Sequence, residues 1–295
     1  MKNLIIIEAP SNLGLKQLRN VEPGVRKLPA WLKARGLHDV LQPQKVIHVE
    51  PPPYSMHLDK ESGVRNADAI VSYSKTLSEE IKTVLNAGQF PLVIGGDCSI
   101  LIGCALGLRS VGNFGLFFID GHTDFVLPHF SETKAAAGMD LALISGNGPD
   151  KLANINSLKP YIAEKNIFAI GNRYLQNDYV KLITDSAISY YDLHNLRAAG
   201  MKHIVKKFLK KVESHNLDGF WIHLDVDVLN NEVMPCVDSP QPGGLSYEEL
   251  RSIIRALLSS SKIKGINITI LDPDLDPDGN YSKAFIENFS QMFPA

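Results

Sequence analysis

Short apolar runs that read as strands recur along this chain, with amphipathic stretches between them. That alternation constrains the fold more than any other feature. The clearest runs are Leu4–Ile7, Lys45–His48, Phe90–Ile94, Gly115–Ile119, Ile167–Ile170, Gly219–Leu224 and Ile266–Leu271. Ala67–Asn86, Ile100–Leu108, Met201–His215 and Ser246–Ser260 carry apolar residues at helical spacing. A strand that is apolar throughout is buried on both faces, which predicts a mainly parallel sheet with helices on either side. No linker or repeat interrupts the pattern, so residues 1–295 read as a single α/β domain. At 295 residues and 44% hydrophobic content, the chain can bury one large core.

Two of the strands end in carboxylates at alternate positions. One is Phe117-Phe118-Ile119-Asp120-Gly121-His122-Thr123-Asp124 and the other Trp221-Ile222-His223-Leu224-Asp225-Val226-Asp227. Side chains at i and i+2 of a strand share a face, so Asp120, His122 and Asp124 are expected to converge, as are Asp225 and Asp227. Four carboxylates in one place repel unless cations lie between them, which points to a divalent metal site, with two ions the natural reading. The bland alternatives are a hydrogen-bonded strand end for the first segment and a solvated acidic turn for the second. Buried carboxylates are costly without a cation, and Phe220-Trp221-Ile222 mark a strand arriving from the core.

A third segment, Val93-Ile94-Gly95-Gly96-Asp97-Cys98-Ser99, ends a strand in a glycine pair and delivers Cys98 at the sheet's edge. Taken alone, Cys98 reads as a small buried hydrophobe. Pro51–Asp59 and Val126–Gly138 are long irregular stretches after strands, the expected walls of a site at the strands' carboxyl ends.

Composition excludes some partners. Thirty basic residues against 32 acidic ones, net −2, ask for neither a nucleic acid nor an anionic membrane. The apolar run Leu4–Ile7 stops at Glu8, too soon for a signal-peptide core, and no stretch approaches membrane-spanning length. Cys98, Cys104 and Cys236 form no disulfide framework, so a cytoplasmic location is expected.

Taken together, the motifs resemble those of the arginase–agmatinase family of ureohydrolases. The family's G-G-D-H-S, D-A-H-x-D and S-x-D-x-D signatures appear here as Gly95–Ser99, Asp120–Asp124 and His223–Asp227, with Pro242-Gly243-Gly244 downstream. Glu22-Pro23-Gly24-Val25, Ile170-Gly171-Asn172-Arg173 and Asp272-Pro273-Asp274-Leu275-Asp276 look like further family elements, so the resemblance spans nearly the whole chain. It implies a binuclear, usually manganese, cluster in an arginase-like fold. One ion would be held by Cys98, Asp120, Asp124 and Asp225. The other would be held by His122, Asp120, Asp225 and Asp227. The ions would generate a hydroxide nucleophile near neutral pH, and Asp124 would orient it and relay its proton to the leaving nitrogen. Trimers or hexamers are the implied assemblies.

Three departures from the family's pattern bear on function. Cys98 replaces a metal-binding histidine. Thiolate favours Zn²⁺ over Mn²⁺ relative to imidazole, and it adds a negative charge to the cluster, so either one or two ions are expected. Ile270 takes the place of the glutamate that binds the substrate guanidinium, with Asp272 the nearest acid that could compensate. Ala137 stands at the histidine of an H-G-x-P stretch, and Asp140, three residues on, is a new acidic group near the site or, the reading favoured here, a helix N-cap. These features predict a metal-dependent hydrolase of a linear C–N bond in a small amidine, guanidino or amide compound, and neither a standard arginase nor an agmatinase. The alternatives are a catalytically degenerate metal-binding protein of the same fold and a deacetylase-like amidohydrolase.

Overall fold

A computed structural model describes residues 3–18 and 20–293. Eight strands form one parallel sheet: β1 (Leu4–Ala9), β2 (Lys45–His48), β3 (Phe90–Gly95), β4 (Phe114–Ile119), β5 (Ile167–Ile170), β6 (Ser189–Tyr191), β7 (Gly219–Asp225) and β8 (Ile263–Thr269). Their order across the sheet is β2-β1-β3-β8-β7-β4-β5-β6. The four central strands are almost wholly buried, which is why apolar residues dominate them, with His223 and Asp225 in β7 and Asn267 and Thr269 in β8 as buried polar exceptions.

Alternate residues of each strand feed separate cores on the two faces. Phe117 and Ile222 pack with Phe208, Ile253 and Phe285 from the helices Met201–Ser214, Tyr247–Leu258 and Asn280–Ser290. Phe118 and Trp221 pack with Leu77, Ile81 and Leu101 from the helices Ala67–Asn86 and Ile100–Val111. These last two helices press closely together at Gly107, where a Cβ would come within 2.9 Å of Ile81. The expected arrangement of helices on both faces of a parallel sheet is therefore present. Among the described residues no helix is long and apolar enough to cross a membrane.

Differences from the expected elements have local causes. Strand β6 is three half-buried residues at the sheet's edge and has no apolar run to announce it. Strand β8 starts three residues earlier than expected and stops at Thr269, because Ile270 has φ +78° and turns the chain out of the sheet. A β-branched residue in that region is strained by about 1–3 kcal/mol. The helix Tyr247–Leu258 begins at a capping box, in which Ser246 and Glu249 each bind the other's backbone N–H.

The three chemistry-bearing segments leave the sheet at the carboxyl ends of β3, β4 and β7, and Ile270 follows β8. In space these are the four adjacent strands β3-β8-β7-β4, so a single patch of the sheet edge collects all of them.

Candidate metal centre

Cys98 is placed by a turn that only glycine permits. A Cβ at Gly96 would lie 1.6 Å from the Ser11 carbonyl oxygen. Asp97 then locks the turn, accepting from the Ser99 N–H and the Ser11 hydroxyl, each at 2.8 Å. The Cys98 thiol is thereby aimed across β8 at β7. It donates to Asp225 Oδ2 at 2.7 Å and lies 3.1 Å from Thr269 Oγ1.

The aspartates converge, but not by strand alternation. β4 ends at Ile119, and Asp120–Asp124 form an irregular turn beyond it, with Asp124 at φ +41°. Asp120 Oδ1 accepts from the His122 backbone N–H at 2.6 Å. Asp225 is the last residue of β7, and its Oδ1 accepts from the Asp227 N–H at 2.8 Å as the chain enters a 3-10 turn over Val226–Val228. Asp227 bridges the two motifs: its Oδ1 accepts from the Gly121 N–H at 2.9 Å, and its Oδ2 lies 2.8 Å from His122 Nδ1. The expectation of shared strand faces is thus corrected. Aspartates at such spacing bind backbone N–H groups two residues on, and these tight turns bring the carboxylates together. Arg173, after β5, supports the second turn by donating to the carbonyls of Asp227 and Val228 at 2.8 and 2.9 Å.

Three sets of donor atoms lie within 4.8 Å of one another: Cys98, Asp120, His223 and Asp225; Cys98, Asp124 and Asp140; and Asp120, His122 and Asp227. All six expected positions are brought together. Burial, reinforced by the neighbouring carboxylates, raises Asp120, Asp124 and Asp225 well above the usual carboxylate range. Burial and then Asp225 raise Cys98. Burial also opposes the charges of His122 and Asp227, but their mutual attraction prevails. His122 is pushed up to about 9 and Asp227 is held below its ordinary value. Asp120 Oδ2 and both oxygens of Asp140 are buried with no hydrogen-bond partner among the described residues. Bare oxygens inside a ring of further donors are what a divalent cation requires, so the residues fit a metal.

Two site residues escape the sequence reading. His223 is fully buried, stacked on Phe118 with ring centroids 4.6 Å apart. Its Nδ1 lies 2.7 Å from Asn267 Nδ2, while Asn267 Oδ1 accepts from Trp221 Nε1 at 2.8 Å. An indole only donates, so Trp221 sets the amide's orientation, and Asn267 in turn donates to His223 Nδ1. Burial pushes the imidazole down to about 3, leaving it neutral with its proton on the otherwise unpartnered Nε2. A histidine two residues before Asp225, in the strand's own alternation, was the available signal. Asp140, an acid near the site that the sequence favours as a cap, is the second. It begins the helix Asp140–Ile144, but Met139 is the N-cap and no side-chain cap bond forms, so the expected capping role is overturned.

The positions expected on the substrate side are apolar. Ala137 is buried and Ile270 packs into the core. Asp272 does not compensate: its carboxylate accepts from the N–H groups of Gly24, at 3.0 Å, and Asp274, at 2.9 Å, tying the two terminal motif segments together. Beside His122 a cavity of about 320 Å³ is lined by Tyr174, Tyr179, Ser239, Pro240 and Gln241. The two tyrosine rings meet edge to face at 4.9 Å, and the Tyr179 hydroxyl accepts from the Thr123 N–H at 3.0 Å. A larger cavity, about 740 Å³, opens at the other end of the sheet near Leu4 and Phe293, away from these groups.

Comparison with known proteins identifies the family. The arginase family model matches residues 5–292. An arginase of Staphylococcus aureus (strain COL) is 28% identical over 302 residues, covering 99% of this chain and 97% of that protein. The native structure of the Bacillus caldovelox arginase superposes with a TM-score of 0.89 at 26% identity, covering 100% of this chain and 99% of that one. A formimidoylglutamase of Bacillus subtilis shares the fold at a TM-score of 0.73 and 18% identity, covering 99% and 86%. The chain belongs to the arginase family.

Proposed function

We propose that this protein is a metal-dependent hydrolase of a linear, non-peptide C–N bond in a small amidine, guanidino or amide compound, and that arginine and agmatine are not its substrates. One observation carries the reading. The ligand-type residues converge in three overlapping groups that leave Asp120 Oδ2 without a hydrogen-bond partner among the described residues, whereas the positions that would grip a guanidinium are the apolar Ile270 and Ala137.

Asp120, His122, Asp225 and Asp227 would hold a divalent ion, Mn²⁺ or Zn²⁺, with Asp124 and Cys98 beside them. When bound, such an ion lowers the pKa of water and polarises the C=N or C=O group under attack. The protein's own residues do the rest. Asp227 and Gln241 lie at the two ring nitrogens of His122, at 2.8 and 3.2 Å, and one of these contacts would give way to the ion while the other orients the ring. Asp124 accepts the proton of the attacking water as oxygen bonds to carbon. It returns that proton to the nitrogen as the C–N bond breaks. Tyr174 and Tyr179 offer aromatic surface for an uncharged part of the substrate and keep bulk water off the reacting face. The three cysteines are all free and buried, which supports a reducing, cytoplasmic setting. The family's trimeric or hexameric assembly is part of the same proposal.

The test is a library of guanidino, amidine, formimidoyl and acetylated-amine compounds, assayed for urea, ammonia, formamide and acetate with Mn²⁺- or Zn²⁺-loaded protein. Turnover of at least one amidine or amide is expected, with arginine and agmatine left intact. Urea release from arginine at about 1–1000 s⁻¹ would overturn the exclusion. Acetate release alone would favour a deacetylase-like enzyme. Metal binding with no turnover of any compound would favour a metal-binding protein without catalysis.

A further inference from the structure

We infer that Asp140 is a metal ligand, and that with Cys98 and Asp124 it forms a cation seat distinct from that of Asp120, His122 and Asp227. The inference rests on the metal-centre reading above and adds to it a residue outside the motifs from which that reading came.

Asp140 is completely buried, and neither carboxylate oxygen has a hydrogen-bond partner among the described residues. The side chain does not cap its own helix. An ionised carboxylate in that position lacks both water and a counter-charge. Protonation does not resolve the difficulty, because a neutral carboxyl there would find no acceptor for its O–H among the described residues. A cation resolves it. An Asp140 oxygen, Cys98 Sγ and an Asp124 oxygen lie within 4.8 Å of one another. Two donors each about 2.0–2.3 Å from one ion can stand up to roughly 4.6 Å apart, so the three need close only slightly on a shared metal. A thiolate and two carboxylates are a donor set for Zn²⁺ or another thiophilic ion. The remaining donors follow the same division. Asp120, His122 and Asp227 form their own group, and Cys98 also stands within reach of Asp120 and Asp225. The two seats therefore adjoin.

The experiment compares wild type, Asp140→Asn and Asp140→Ala, stripped of metal and then titrated with Zn²⁺, Mn²⁺ and Co²⁺ in equilibrium dialysis. A thiolate-to-cobalt charge-transfer band reports occupancy of the Cys98 seat. Wild type is expected to show this band. Both variants should lose it and bind that ion at least about 10–100-fold more weakly, the range seen even for outer partners of metal ligands, while the ion at His122 is retained. Wild-type stoichiometry, affinity and cobalt band in folded variants would overturn the assignment while leaving the His122 centre standing. Wild type that binds no divalent ion would sink the assignment and the metal-centre reading together. Should the variants fail to fold, an anomalous difference map of Zn²⁺-loaded wild-type crystals decides. An ion about 2.0–2.2 Å from an Asp140 oxygen supports the assignment, and its absence there overturns it.

Discussion

Gly96→Ala puts the delivery of Cys98 to a direct test. The added Cβ would lie 1.6 Å from the Ser11 carbonyl oxygen and 2.7 Å from the Ser11 carbonyl carbon, both backbone atoms that cannot rotate away. The segments after β1 and β3 must then part by more than an ångström. Two backbone hydrogen bonds cross that junction, Gly96 N–H to Ala9 O at 3.2 Å and Asp97 N–H to Ser11 O at 3.1 Å, and a third, Ile270 N–H to Gly96 O at 2.8 Å, ties the same turn to the end of β8. Losing one or two of them in a buried place, with the freed groups left unpaired, costs about 3–5 kcal/mol in all. Helix or strand propensity offsets little of this, since the residue lies in neither. At about 2–4 °C per kcal/mol for a chain of this order, the melting temperature should fall by roughly 6–20 °C. Gly138→Ala is the control, because nothing lies within 4 Å of a Cβ there, and its change should stay within about 0.5 kcal/mol. Thermal melts of both metal-free proteins, together with Zn²⁺ affinity, make the comparison. A Gly96→Ala protein as stable as wild type and binding metal equally well would refute the reasoning that backbone crowding positions Cys98.

Two further outcomes follow from the site. Cys98→His should raise occupancy of the Cys98 seat and shift preference toward Mn²⁺, since imidazole is neutral and less thiophilic; unchanged stoichiometry and preference would mean that position 98 does not touch the cluster. In the metal-free protein, the raised pKa of His122 contributes stability that is fully present below its unfolded value of 6.5 and is lost as pH rises through about 9. The raised carboxylates Asp120, Asp124 and Asp225 act in the same direction. Metal binding strengthens with pH because ligands must shed protons, so the melting temperature should fall between pH 6.5 and 9 in chelator but not in saturating Mn²⁺. A rise in chelator over that range would contradict the His122–Asp227 pairing.

The central strands and the main helices were legible in the linear chain because burial on two faces demands uninterrupted apolar residues, and burial on one face demands helical spacing. The acidic motifs were legible for the opposite reason: Asp120–Asp124 and Asp225–Asp227 place charge directly after segments that can only be interior. What brings the carboxylates together was not legible. The turns are set by side-chain-to-backbone hydrogen bonds, and the bridge from His122 to Asp227 joins the turns that follow β4 and β7, far apart in sequence. The end of β8 was misplaced because Ile270, by composition a strand residue, is held at positive φ by its bond to Gly96 across the sheet.

His223 and Asp140 mark the limit most clearly. Each is a single polar residue in an otherwise apolar stretch, and such a residue can cap a helix, satisfy a core hydrogen bond or face a metal. Which of these it does depends on the groups opposite it. For His223 these are Asn267, oriented by Trp221, and Phe118. For Asp140 they are Cys98 and Asp124, brought from the ends of two other segments. The amino-acid sequence by itself determined the central strands of the sheet, the helices on its two faces and the family resemblance, because these depend on patterns along the chain. Only the tertiary structure decided which lone polar residues share the site, because the cost of a buried charge is set by its neighbours in space and not by its neighbours in sequence.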